Sequence, residues 1–122
     1  MAEQVEAQAL VEAVAQFLTE IEGRLSGREA FHAKVAANAL GIVARELAQQ
    51  PQVAEAAALS GYLGHEAGVD ALRAEICGRL RGGQLTPETP GLVDALMTAT
   101  LARVAVDNPR YSTFRRLSGG DK

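Results

Sequence analysis

The 122-residue sequence has little cysteine, few aromatic residues and little net charge. Its single cysteine, Cys77, excludes a fold held together by disulfide bonds. Aromatic residues make up 4% of the chain, so the side chains that favour strands are scarce. The formal net charge of −3 supplies no basic field to hold phosphates, which argues against a nucleic-acid partner.

Long apolar runs and basic leader segments are also lacking. The longest uncharged stretch, residues 35–44, is far shorter than the roughly 20 residues that span a bilayer. Glu3 and Glu6 stand near the N-terminus, where a secretory signal has basic residues. We therefore expect no membrane association and a cytoplasmic location.

Alanine and leucine dominate what the chain does contain. There are 23 alanines and 14 leucines, and both residue types are strong helix formers. A chain of this length, 48% hydrophobic and 22% charged, can bury a core without a metal or a disulfide. The composition predicts one all-α domain over residues 1–122, with a disordered tail from about residue 116.

Apolar residues recur at spacings of three and four, which predicts five helices. They cover about residues 5–22, 27–47, 51–63, 69–81 and 90–107, and all four prolines fall at their boundaries. Ser26 and Glu29 have capping-box spacing at the start of the second helix, and Thr89 has the N-cap position of the fifth. The pattern predicts an up-and-down bundle with the second helix at its centre.

A polar seam runs along the second helix. Lys34, Asn38, Gly41 and Arg45 fall within about 60° of one another on the helical wheel, and the rest of the helix middle is apolar. The seam either faces solvent or lines a cleft or subunit interface. In the second case Gly41 permits another backbone to approach, and Arg45 suits a carboxylate or phosphate.

His32 and Cys77 lie among apolar helical positions. Glu29 and His32 have the spacing of one half of a di-iron site, but the sequence lacks the other half, so we expect no metal. A buried histidine satisfied by a neighbour is favoured over a catalytic one. Cys77 is predicted to be a small core residue.

Asp107 ends the fifth helix, where a carboxylate opposes the helix dipole. It therefore needs a cationic partner, and Arg103 and Arg110 are within reach. One interpretation is an ion pair that docks the chain after the helix. The other is a polar pocket built by Asp107, Asn108 and Arg110.

Two segments carry a family resemblance. Residues 31–47, with the pattern Phe31-His32-x-Lys34-Val35, resemble the central motif of an uncharacterised family of small all-helical bacterial proteins, a domain of unknown function. Residues 101–112 resemble its closing motif, and residues 72–83 fit more loosely, so the resemblance spans roughly residues 8–115. It implies genes beside acyl-CoA dehydrogenase-like and aminoglycoside-phosphotransferase-like genes, and it carries over no catalytic residue.

Two functions follow from these patterns. The favoured one is a non-enzymatic accessory or interaction protein, a homodimer or a partner of a neighbouring enzyme of acyl-CoA or phosphotransfer metabolism, without a cofactor. The alternative is a binding protein or enzyme that holds an anionic metabolite at the Asn38/Arg45 seam, with Arg73 and Arg110 as further contacts. A transcriptional regulator is disfavoured because no basic recognition helix stands out. The candidate ligand-binding or interface residues are His32, Lys34, Asn38, Arg45, Asp107, Asn108, Arg110 and Tyr111.

Overall fold

A computed structural model describes residues 2–119 of the chain, with side chains described from residue 6. Over this range the chain forms six helices and no strand. The helices are α1 (Ala2–Glu22), α2 (Gly27–Gln49), α3 (Pro51–Leu63), α4 (Val69–Arg81), α5 (Leu92–Asp107) and α6 (Ser112–Leu117). The predicted all-α class is confirmed, and α6 is an addition to the five expected helices.

Helix ends follow the glycine and proline signals better than the capping signals. Both ends of α3 and α4 lie where the sequence places them. However, α5 begins at Leu92, so Gly91 and not Thr89 has its N-cap position. The Thr89 hydroxyl accepts a hydrogen bond from the Thr86 backbone N–H at 2.9 Å, in the turn before the helix. In the described part of the chain the Ser26 hydroxyl makes no capping bond to α2, so the predicted capping box is wrong.

The chain divides into two compact units, Met1–Gln50 and Pro51–Lys122. In the first unit, α1 and α2 pack together as a helical hairpin. Among its described side chains the buried ones are two alanines, Ala33 and Ala44, while Val11 and Leu18 are half-buried. Small residues let two helix backbones approach closely but bury little apolar surface. A single domain with a central second helix remains a prediction.

The second unit has a larger core. In this unit α3 packs against α4 and α5, and α5 contacts α6. The core consists of leucines and one isoleucine drawn from three helices and the loop before α5: Leu59, Leu72, Ile76, Leu85 and Leu92. Full burial of each such side chain contributes about 1.5–3 kcal/mol, so this cluster is the main source of stability in the unit.

The C-terminal segment is described as far as Gly119. Arg116 and Leu117 end the short helix α6, and Ser118 and Gly119 form a turn. Residues 120–122 lie outside the described range, so disorder of the tail remains a prediction. None of the described helices combines the length and the apolar character needed to cross a bilayer.

Candidate functional site

The polar seam lies on the surface of α2. Lys34 and Asn38 are exposed, whereas Gly41 and Arg45 are half-buried. The Nη1 atom of Arg45 lies 3.5 Å from the position that a Cβ on Gly41 would occupy. Gly41 therefore leaves room for a guanidinium from the next turn of its own helix. A ligand or interface role for the seam remains a prediction.

Two residues that the sequence places in the core are exposed instead. The His32 side chain is exposed and contacts the Phe31 ring, with 5.9 Å between ring centroids. Its predicted burial is wrong because, within the first unit, α2 is covered by α1 on one side only. Cys77 is also exposed, because Leu72 and Ile76 form the core side of α4. The described residues contain no group of three or more His, Cys, Asp or Glu side chains that could hold a metal.

The closing motif forms the turn between α5 and α6. The Arg103 Nη2 atom donates to Asp107 Oδ1 at 3.1 Å, so the expected cationic partner of Asp107 is confirmed as Arg103. Both residues belong to α5, so this pair does not dock the chain after the helix. The Asn108 backbone carbonyl accepts a hydrogen bond from the Tyr111 N–H at 3.1 Å, which closes the turn. The side chains of Asn108, Arg110 and Tyr111 are exposed, and their roles as ligand or interface contacts remain predictions.

The hairpin carries an apolar surface in solvent. Leu10, Val14 and Phe17 recur at spacings of four and three, which places them on one stripe of α1. Large apolar residues of α2 are exposed as well. Together the six exposed residues define the hairpin apolar surface, and their exposed fractions run from 42% to 68%: Leu10, Val14, Phe17, Phe31, Val35 and Val43. A concentration of large apolar side chains in solvent marks an interaction surface.

A cavity of about 400 Å³ opens in the second unit between α3, α4 and α5. Leu59 and Ile76 of the core line it, and Leu96 and Ala99 of α5 line its other side. Cys77 follows the core residue Ile76 on α4, and it also lines this cavity. Four of the nine lining residues are aliphatic, and most of the lining surface is apolar, as is typical of small-molecule sites.

An ion pair between α3 and α4 lies at the same cavity. Arg73 donates from Nε and Nη2 to the two carboxylate oxygens of Glu55, each at 2.6 Å. These hydrogen bonds lower the pKa of Glu55, burial opposes them, and the positive charges of Arg73 and Arg103 lower the pKa further. Glu55 is therefore ionised at neutral pH, and the two-point contact fixes α3 against α4.

Glu55 did not figure among the candidates drawn from the sequence. It precedes Leu59 by four residues, and Arg73 precedes Ile76 by three, so each lies on the same side of its helix as a core residue. That spacing was the available signal. The pairing itself depends on how α3 packs against α4, which the sequence pattern does not specify.

Comparison with known proteins places part of the chain in a family. A family model described as a domain of unknown function, DUF6285, matches residues 23–111. No curated protein and no solved structure shows a significant match. The matched segment runs from the turn after α1 to the turn after α5, and it contains the seam, the cavity and all but the last residue of the closing motif. The chain therefore belongs to the DUF6285 family.

Proposed function

We propose that the protein is a non-enzymatic interaction protein that forms a homodimer through its hairpin apolar surface. The observation that carries this proposal is the distribution of side chains in the first unit. Six of its large apolar residues are 42% to 68% exposed and the other described ones are half-buried, whereas the buried residues among its described side chains are alanines. A two-helix unit built in this way buries too little apolar surface to be stable without a further partner.

The size of the surface favours a second copy of the chain as that partner. The six side chains together leave on the order of 600 Å² of apolar area in solvent, and Leu10, Val14 and Phe17 form one continuous row of it on α1. A standard interface buries about 800 Å² on each partner, which this area and its surrounding atoms can supply. Two hairpins related by a twofold axis would complete a four-helix bundle, since each copy presents the same stripe.

The test of this proposal introduces one negative charge into the α1 stripe formed by Leu10, Val14 and Phe17. We expect Phe17→Glu to weaken dimerisation at least about thirtyfold, because a buried aromatic anchor contributes 2 kcal/mol or more. Gln16→Glu is the matched control, since it adds the same charge one residue away, on a polar part of α1. Size-exclusion chromatography with light-scattering detection gives the mass of each protein. Circular dichroism checks that each variant keeps its helices.

The proposal predicts a wild-type and Gln16→Glu mass of twice 12.8 kDa, and a mass near 12.8 kDa for Phe17→Glu. A wild-type protein that stays monomeric at every concentration contradicts it. A Phe17→Glu dimer as tight as the control also contradicts it, because the stripe would then lie outside the interface.

A partner enzyme is the second candidate for binding to the same surface. The family resemblance implies an enzyme of acyl-CoA or phosphotransfer metabolism in a bacterium, and we propose that the two proteins meet in the cytoplasm. The supporting result would be recovery of such an enzyme from native lysate by the wild type and by Gln16→Glu, together with its loss with Phe17→Glu. Equal recovery by all three proteins would contradict a role of the hairpin in that association.

A further inference from the structure

The cavity of the second unit is a space that three helices leave unfilled. Helix α3 packs against both α4 and α5, whereas α4 and α5 make little contact with each other. Leu59 and Ile76, which are 2% and 3% exposed, form the floor of the cavity and belong to the folded core. The lining on α4 and α5 includes the small side chains of Cys77 and Ala99. Short side chains leave the space between the two helices open, so the cavity exists before any ligand arrives.

The volume of the cavity suits a small molecule. About 400 Å³ lies in the range of ligand pockets, roughly 300–1,000 Å³. At about 30 Å³ for each non-hydrogen atom, the cavity accommodates on the order of a dozen such atoms. One turn of an α-helix with its side chains, roughly 10 Å across and about 5.4 Å long, would by itself fill this volume. A small molecule therefore fits the cavity better than a helix of a partner protein does.

The uncharged part of the lining indicates an aliphatic ligand. All of the lining side chains lack rings, and four of them provide aliphatic carbon: Leu59, Ile76, Leu96 and Ala99. Cys77 and Thr100 add one thiol and one hydroxyl, so the uncharged part of the lining has few polar atoms. Each CH₂ group that moves from water into such surroundings tightens binding about fourfold.

The charged residues at the cavity are already paired. Arg73 donates to both carboxylate oxygens of Glu55, each at 2.6 Å, and its Nη1 atom lies 3.5 Å from Asp70. Arg103 donates to Asp107 at 3.1 Å. Two arginines thus face three carboxylates, and the side chain of Asp70 is 95% exposed, where solvent screens its charge. These charges favour a neutral ligand over an anion, because both arginines are occupied, and over a cation, because the excess carboxylate is screened.

A charged end group would weaken the binding of an aliphatic chain in this cavity. If the charged group enters the cavity, it loses water without gaining a new partner, which is unfavourable. If it stays in solvent, it keeps part of the chain outside. Withdrawal of two CH₂ groups alone weakens binding about fifteenfold. A neutral molecule avoids both penalties, because all of it can enter.

We propose that this cavity binds a neutral aliphatic molecule of about eight to twelve non-hydrogen atoms, with its chain against Leu59 and Ile76. The lining shares no residue with the hairpin apolar surface, so the site is independent of the proposed dimer contact. It adds a small-molecule ligand to a protein for which the association proposal names only protein partners.

The probe is 1-octanol, because its nine non-hydrogen atoms fit the volume. Calorimetric titration of the full chain is expected to give saturable binding to one site per chain, with 1-hexanol about fifteenfold weaker. Octanoate and octylammonium have a chain of the same length with a negative or a positive end, and both should bind at least about tenfold more weakly than 1-octanol. Either charged probe binding as tightly as 1-octanol would overturn the assignment of a neutral ligand. An absence of saturable 1-octanol binding would overturn the proposal as a whole.

Cys77 reports on the same cavity without any mutation. This residue is exposed and lines the cavity, so bound 1-octanol should slow the alkylation of its thiol by iodoacetamide at least about threefold at saturation. Saturable 1-octanol binding that leaves the alkylation rate unchanged would place the ligand elsewhere on the chain, such as at the hairpin apolar surface, and would overturn the proposal.

Two variants fill the cavity from opposite sides. Ala99→Phe adds a ring from α5 and Cys77→Phe adds one from α4, and each should weaken 1-octanol binding at least about tenfold. Cys77 is exposed, so its variant remains informative if Ala99→Phe fails to fold. Ala74→Phe is the matched control, because Ala74 is exposed on α4 and lies outside the lining. Thermal unfolding shows which variants are folded. A 1-octanol affinity that the folded lining variants leave unchanged, or that Ala74→Phe reduces as much as they do, would overturn the proposal.

Discussion

Leu72 is the residue whose truncation should destabilise the second unit most clearly. Its side chain is 0% exposed and lies in the core cluster beside Ile76. Leu72→Ala removes three carbons, which costs about 2.4 kcal/mol at 0.8 kcal/mol for each carbon group. A cavity that relaxes only partly adds on the order of 1 kcal/mol, so the expected loss is about 3–4 kcal/mol.

That loss is large compared with the stability that the unit can have. At 0.05–0.15 kcal/mol per residue, a unit of this length has roughly 4–11 kcal/mol of unfolding free energy. Leu72→Ala should therefore lower the urea midpoint strongly and leave the slope of the transition unchanged. Circular dichroism at equilibrium in urea measures both quantities.

Leu80→Ala is the matched control on the same helix. The Leu80 side chain is 38% exposed, so the same truncation should cost about 1 kcal/mol or less. A Leu72→Ala cost that is no larger than that of Leu80→Ala would refute the reasoning, because the core of the second unit would then lie elsewhere.

Three further predictions concern single positions. Ala44→Leu should cost about 1–3 kcal/mol in urea titration, because a large side chain cannot fit at the buried alanine between α1 and α2. Gly91→Ala should cost about 1–2 kcal/mol by the same assay, because Gly91 has a φ of +85° and an added Cβ would lie 3.3 Å from the Tyr62 ring. Glu55→Gln should lower the melting temperature at neutral pH. The contact with Arg73 in the folded protein lowers the pKa of Glu55 below its ordinary value of 4.5. The difference in melting temperature between the wild type and Glu55→Gln should therefore be lost as the pH falls below 4.5 and through the lowered pKa of the folded state.

Each of these predictions has a contradicting result. An Ala44→Leu protein as stable as the wild type would mean that α1 and α2 do not approach at this position. A neutral Gly91→Ala would contradict the left-handed backbone there. A stability difference for Glu55→Gln that grows on acidification would reverse the sign of the pKa argument.

Local signals in the sequence were sufficient for most of the helices. Pro51 can only start a helix or interrupt one, and Gly82 weakens helix continuation, so the start of α3 and the end of α4 follow from backbone chemistry alone. Capping was less predictable, because a hydroxyl has several possible partners. Thr89 forms its hydrogen bond with Thr86 in the turn instead of capping α5.

Burial and the cavity depended on helix packing, which the sequence pattern does not specify. His32 lies among apolar residues of α2, but a residue is buried only where a neighbouring helix covers it. The Glu55–Arg73 pair joins residues 18 positions apart across two helices. Asp107 and Arg103 were predictable because an i,i+4 pair follows from helix geometry alone.

Nuclear Overhauser contacts between two copies of the chain test the proposed dimer most directly. The sample mixes isotope-labelled with unlabelled protein, so that filtered spectra detect only contacts between chains. The homodimer predicts contacts between the methyl groups of Leu10 or Val14 in one copy and the Phe17 ring in the other. Intermolecular contacts confined to residues 51–119, or none at a concentration where the mass is that of a dimer, would contradict it.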